Sequence, residues 1–223
     1  APPRLRRLAP LLAGAPRMRD GEARTKDDTP RPRTGAPQAK GGAPRANEPA
    51  TRMRGAVPPP PADDWPGPLD LAIGEGEFRV LIAPPTAAMA FIRLCVGLRA
   101  PASGTVEVLG VRPGELDRWR AQAFRRRLGV GFAEPSGLIS NLTVRSNLIV
   151  PLLYSGAAEL AEATARAAET IEACGISRWA DVRPAELPPA ARRRAVVARA
   201  VAREPALLLL EEPASSSRDA GEA

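Results

Sequence analysis

From Trp65 onward strand-like and helix-like runs alternate, and this order restricts the fold more than any other feature of the chain. "LDLAI" (69–73) puts Leu69, Leu71 and Ile73 on one face of a strand. "GEG" turns the chain, and "EFRVLIA" (77–83) reads as a second strand. "AAMAFIRLCVGL" has the composition and spacing of a helix ending near Gly97. "GTVEVLG" is a short strand between glycines, "DRWRAQAFRRR" a basic helix and "LGVGFA" a buried strand. "TVRSNLIVPLLYSG" reads as a helix opened by a threonine cap and bent or ended at Pro151. "AELAEATARAAETIEACG" is amphipathic, with Leu160, Ala163 or Thr164, Ala167, Ile171 and Cys174 on one face and Gly175 as its stop. "ARRRAVVARAVAREP" is a further helix, and "ALLLL" a fully buried strand followed by two carboxylates. Such interleaving predicts an α/β domain with a largely parallel sheet.

The first 63 residues differ in texture. They hold 13 of the 26 prolines, 13 of the 32 basic residues and 6 of the 25 acidic ones, which leaves 19 of each charge for the remainder. The net charge of +7 therefore belongs to this segment. With almost no aromatic or β-branched residues it cannot offset its chain entropy, so a disordered Pro/Arg-rich tail is expected over 1–63 and a folded domain over 64–223. The stretch "VPPPPADD" reads as a stiff polyproline spacer. "PRLRRLAPLLAGA" faintly resembles a signal peptide, but its apolar part is short and broken by Pro10. Basic residues spaced by proline give salt-sensitive attraction to anionic surfaces and no specific nucleic-acid site, since aromatic interleaving is lacking.

No apolar run approaches the 18 residues of a membrane span. Cys95 and Cys174 lie far apart in apolar, helix-like contexts, so buried reduced thiols and a cytoplasmic setting are expected. The chain has no histidine, which removes histidine base chemistry and histidine-containing metal sites. No metal site is expected.

In this order, several stretches resemble the ATP-binding subunit of ABC transporters. "GEFRVLI" is similar to the strand before that family's phosphate loop. "APASGTVEVLG" is similar to its P-T-S-G-x-V-x-V-x-G stretch. "RRLGVGFAEPSGLISNLTVRSNLIVPLLY" resembles its Q-loop region, and "ELPPAARRRAVVARAVAREPALLLLEEPASSS" its signature, helix, Walker B and D-loop region. The likeness spans about 69–219, with a lean toward lipid-trafficking (Mce-type) or lipoprotein-release ATPases. It implies a P-loop NTPase-like fold and two such subunits sandwiching two Mg-ATP molecules to drive a membrane permease. It also implies a cytoplasmic place at the inner face of the membrane. The family's closing strands and helices are not among these residues, so an unpaired sheet edge is expected.

Where the family handles phosphate, this sequence departs from it. The phosphate loop G-x-x-G-x-G-K-[ST] uses glycines so that backbone N–H groups surround the phosphates, and a lysine to offset their charge. The matching residues are Ala83, Pro84, Pro85, Thr86, Ala87, Ala88, Met89 and Ala90. Aligned from the upstream strand, Met89 replaces the lysine; aligned from the downstream helix, Ala88 does. Neither carries an ammonium, and Pro85 has no N–H to give. The Q-loop glutamine falls at Ala133, which reaches neither Mg²⁺ nor water. The signature L-S-G-G-Q becomes "LPPAA" (187–191), and Arg192, Arg193 and Arg194 after it read as a solvated face. Glu211 stands where the family has its Mg²⁺-linked aspartate, one methylene too long, and Glu212 where it has the catalytic base. The D-loop aspartate falls at Arg218, with Asp219 one place late. The resemblance makes Trp65 a candidate to stack on adenine, and the residue reads more readily as a buried anchor or a plain linker residue.

The leading expectation is an ABC-ATPase-like subunit with a degenerate phosphate loop, without Mg-ATP and with Glu212 vestigial. It would serve as a structural or regulatory partner of a permease and of a second, intact ATPase subunit. The alternatives are a weakly active ATPase, a protein that uses its basic tail on an anionic surface, and a truncated or decayed product.

Overall fold

In the computed structural model, which describes residues 49–132, 137–154, 156 and 158–211, strands and helices interleave along the chain. The order is β1 (Thr51–Val57), β2 (Leu69–Ile73), α1 (Pro85–Cys95), β3 (Ser103–Val108), α2 (Arg118–Arg125), β4 (Leu128–Gly131), α3 (Val144–Tyr154), α4 (Leu160–Ala173), α5 (Pro189–Val201) and β5 (Leu207–Leu210). The α/β class stands as read from the sequence. Its parallel part is the pair β4–β5, in register from Leu128↔Leu207 to Gly131↔Leu210. The other sheet is antiparallel, in the order β2-β1-β3.

β1 corrects the boundary placed at 63/64. It lies inside the segment read as tail, yet it is the central strand of its sheet, pairing Met53 with Leu71 on one side and with Val106 on the other. Thr51, Met53 and Ala56 are buried while Arg54 points outward. Partners on both sides, distant in sequence, supply what local composition lacks. Residues 1–48 lie outside the described residues.

Both ladders of β1 shift register between positions 53 and 57, at Gly55 with φ +53°. This is the geometry of a bulge that only glycine enters at low cost. The Gly55 amide donates to the Asp70 carboxylate at 2.9 Å. A Cβ on the facing Gly104 would lie 2.2 Å from the Gly55 oxygen, so the two backbones meet too closely for any side chain.

The expected strand over 77–83 does not form. Residues 78–82 belong to no helix, turn or ladder, and Phe78, Val80 and Ile82 are 80%, 71% and 98% exposed. A strand needs a neighbour, and none of the described strands lies against this run.

The helices follow their sequence signals with two departures. α2 is capped by Asp117, whose carboxylate accepts from the Trp119 and Arg120 amides at 2.9 Å. The Arg125 guanidinium donates to the Val96 and Gly97 carbonyls just beyond α1, at 2.9 and 2.8 Å. In α4, Ala163, Ala167 and Ile171 are buried as expected, with Cys174 just beyond, but Leu160 at the first turn is 59% exposed. α3 runs through Pro151 to Tyr154, so of the two readings, bent or ended there, the ending falls away; Leu148 and Leu152, one turn apart, are fully buried on either side of the proline.

Two cores result. One gathers Met53, Ala56, Val106 and Val108 of the antiparallel sheet with Ile92 and Leu94 of α1, Phe124 of α2, and Leu128 and Leu209 of the parallel pair. The other is helical, and Ala191, Ala195 and Ala198 along α5, with Ala202 at its C-cap, let that helix approach Leu148, Ala167 and Ile171 closely.

Candidate functional site

Parallel pairing sends β4 and β5 to the same end, so Gly131 and Leu210 finish side by side. Ligands of open α/β sheets gather beyond this carboxyl end. Glu211 continues from it, its amide donating to the Gly131 carbonyl at 2.8 Å, and its side chain is half-buried. Ala133 and Glu212, the first steps past the two strands, lie outside the described residues, as do Arg218 and Asp219.

From Gly137 to Thr143 the chain is firmly held by two side chains from the helices. Asn147 of α3 is fully buried. Its side-chain oxygen accepts from the Ile139 amide at 2.7 Å, and its side-chain nitrogen donates to the carbonyls of Ile139, Leu142 and Thr143 at 3.0–3.2 Å. From α5, Arg199 donates to the Gly137 carbonyl at 2.9 Å. Burial lowers the pKa of that guanidinium, yet arginine stays charged. Sequence reasoning singled out neither residue. A lone Asn within an apolar helix gives no signal of its partners.

The phosphate-loop counterpart divides at the helix start. Ala83 and Pro84 are exposed and non-helical, and Pro85 to Ala90 form the first turns of α1, with Ala87 buried. Pro84 occupies the cap position without a side-chain hydrogen bond, and its carbonyl accepts from the Ala88 amide at 2.9 Å. Pro85 supplies no donor, so the amides of Thr86 and Ala87 are what the first turn can still offer an anion. A carboxylate is already bonded to the first turn: the Thr86 hydroxyl donates to Asp64 at 2.5 Å. Asp64 was not singled out from the sequence, since nothing local distinguishes it from Asp63. Lys26 and Lys40, the chain's two lysines, both precede the described residues.

Trp65 is half-buried against the first core and its indole N–H donates to the Ala56 carbonyl at 3.2 Å, which makes it an anchor of β1. The "LPPAA" stretch opens α5: Leu187 is buried in the second core, Pro188 takes the cap position and Pro189 the first helical one. Arg192, Arg193 and Arg194 are half-buried, not solvated, and Arg192 donates to the Leu187 carbonyl at 3.2 Å. Both cysteines are free and buried, and burial pushes the Cys95 thiol up to about 12 and the Cys174 thiol up to about 11. Among the described residues no group of three His, Cys, Asp or Glu side chains is arranged to hold a metal ion. No helix among them is long and apolar enough to cross a membrane.

A parallel strand pair, with α1 and an antiparallel sheet packed into the same core, makes up a cassette of the P-loop NTPase type. The ABC transporter family model matches residues 90–215, and the chain belongs to that family. It is 36% identical over 149 residues to the methionine import ATP-binding protein MetN of Mesorhizobium japonicum, covering 66% of this chain and 40% of that one. It is 33% identical over 146 residues to the lipoprotein-releasing system ATP-binding protein LolD 1 of Rhodospirillum rubrum, covering 65% of this chain and 64% of that one. The chain thus spans about two fifths of the methionine-import relative. Among solved structures, the ATP-binding cassette MJ0796 in its dimeric post-hydrolysis state with ADP and Pi superposes with a TM-score of 0.64 at 24% identity, over 74% of this chain and 75% of that one. Importer and lipoprotein-release subunits match at similar identity, so the likeness is to the cassette they share.

Proposed function

We propose that this ABC-transporter ATP-binding-subunit-like protein is a pseudo-ATPase. It would bind no Mg-ATP in the family's manner and act as a structural or regulatory partner of a membrane permease and a second, intact ATPase subunit. Its place would be at the cytoplasmic face of the membrane, and its basic Pro/Arg-rich segment would add weak contact with anionic surfaces. The observation that carries this reading is the start of α1, which has two prolines, no lysine, and the Asp64 carboxylate bonded to Thr86. A triphosphate there would lose several charge-assisted hydrogen bonds, each about 1.5–3 kcal/mol, and would meet a negative charge instead. Loss on that scale takes micromolar affinity beyond the measurable range.

Titration calorimetry of the full chain with Mg-ATP tests it. No saturable heat is expected; saturable micromolar binding ends the proposal. Glu212, of the right type for a catalytic base, favours a second reading as a weak ATPase. Turnover abolished by Glu212→Gln would establish that reading instead.

A further inference from the structure

The basic helix α2 takes no part in the phosphate site. From 118 to 127 the chain holds five arginines and no carboxylate. Ala121 and Phe124 turn inward and are buried, and the Arg125 guanidinium is engaged by the Val96 and Gly97 carbonyls. Trp119, Gln122, Ala123 and Arg126 follow at i, i+3, i+4 and i+7, which places them together on the outward face. Trp119 is 73% exposed, while the other two tryptophans, Trp65 and Trp179, are packed against the cores. The Arg118 guanidinium lies 5.8 Å from the centroid of the Trp119 ring. Arg203, just past α5, donates to the Arg126 carbonyl at 2.8 Å and brings a further cation to that end of the helix. The nearby carboxylates are already engaged: Asp117 by the first amides of α2 and by Arg120, Glu115 by Arg112, and Glu204 by Arg166. Among the described residues no carboxylate lies within ion-pair distance of Arg118, Arg126 or Arg203.

We propose that this face of α2 docks on an anionic lipid surface, with the Trp119 indole seated at headgroup level and Arg118, Arg126 and Arg203 against lipid phosphates. The charge and the exposed indole together select that partner. An indole has an apolar body and a polar tip, and it favours the boundary between headgroups and acyl chains. Arginines held near an anionic leaflet add an attraction that a neutral leaflet does not give. A nucleic-acid duplex would answer the arginines through its phosphates and leave the indole in water. Single strands are gripped by successive aromatics along a groove, whereas Trp119 stands alone on a convex helix. The contact differs from the general attraction of the basic residues 1–48, because it needs one folded face with an indole at its centre. It rests on the part of the proposed function that places the chain at a membrane face. It does not rest on the absence of nucleotide binding, which calorimetry with Mg-ATP tests separately.

The test is binding of the full chain to vesicles of phosphatidylglycerol mixed with phosphatidylcholine, and to vesicles of phosphatidylcholine alone, followed by sedimentation and by tryptophan emission. The wild type is expected to sediment with the anionic vesicles, with a blue shift of its emission, and to leave the neutral ones alone. Trp119→Phe should still sediment but lose the shift, because Trp65 and Trp179 are already packed against the cores. Arg118→Ala and Arg126→Ala should each weaken binding about fivefold. All three side chains are exposed, so circular dichroism should show the variants folded as the wild type. Wild-type emission that does not move on anionic vesicles overturns the proposal, and so does a shift that survives in Trp119→Phe. Arginine variants that sediment as the wild type assign the attraction to residues 1–48 and overturn it as well. An equal shift on neutral vesicles removes the role of the arginines and overturns it. Tighter binding to duplex or single-stranded DNA than to the anionic vesicles, weakened by the same substitutions, overturns the choice of a lipid surface.

Discussion

Asn147 shows how much one side chain can organise. It sits fully buried in α3 and satisfies four backbone groups of the segment between β4 and α3. Replacing it with alanine removes the partner of the part-buried Ile139 amide and Leu142 carbonyl, while the Ile139 and Thr143 carbonyls keep the Leu142 and Asn147 amides. Asn147→Ala is therefore expected to lower unfolding free energy by about 1–3 kcal/mol in urea titrations, while Asn147→Asp restores only the bond from the Ile139 amide. At this scale the sequence was informative about what is lacking: that 83–90 holds no glycine and no lysine is visible without a structure. It was silent about gain. That Asp64 reaches Thr86, or that Trp65 reaches the Ala56 carbonyl, depends on where a proline-rich approach runs, and no local pattern encodes that path.

Among the elements, the long amphipathic helices were legible because their periodicity is local. α4 and α5 fell where their apolar spacing and their Gly175 and Pro205 stops put them. Strands were less so, because a strand is defined by its neighbours. β1 was missed although Thr51, Met53 and Ala56 are among the most buried residues, while 77–83, with the better strand composition, has no ladder. The β1–β3 contact also rests on two glycines whose sequence neighbourhoods look ordinary. Gly104→Ala would drive a methyl to 2.2 Å from the Gly55 oxygen at φ +74°. It is expected to cost at least about 2 kcal/mol and to lower the melting temperature clearly, whereas Gly76→Ala, with open space around it, should cost only the strain of its positive φ.

For the whole molecule, two thiols couple the cores to pH. Cys95 lies in the first core and Cys174 in the second, and desolvation raises both above the ordinary thiol value of 9.0. A folded pKa above the unfolded one favours the protonated form in the native state. That stabilisation is fully present below pH 9.0 and is lost as pH rises towards about 11 for Cys174 and about 12 for Cys95. Stability measured by urea titration should thus fall with alkaline pH, and the Cys95→Ala, Cys174→Ala double variant should show a shallower fall from its lower starting point. Wild-type thiols should resist alkylation at neutral pH until the chain unfolds.

The amino-acid order alone pointed to an α/β cassette of the ABC type, and it shows that 83–90 holds neither lysine nor glycine. Both rest on residue identity and local spacing, which the chain carries into any conformation. Tertiary structure decided the rest: that a strand from the basic segment lies at the centre of a sheet, that an aspartate stands at the start of α1, and that the apolar run 78–82 joins none of the described ladders. Each of these is a meeting, or a missed meeting, of residues distant in sequence, and long-range contacts are fixed by the packing of the whole chain.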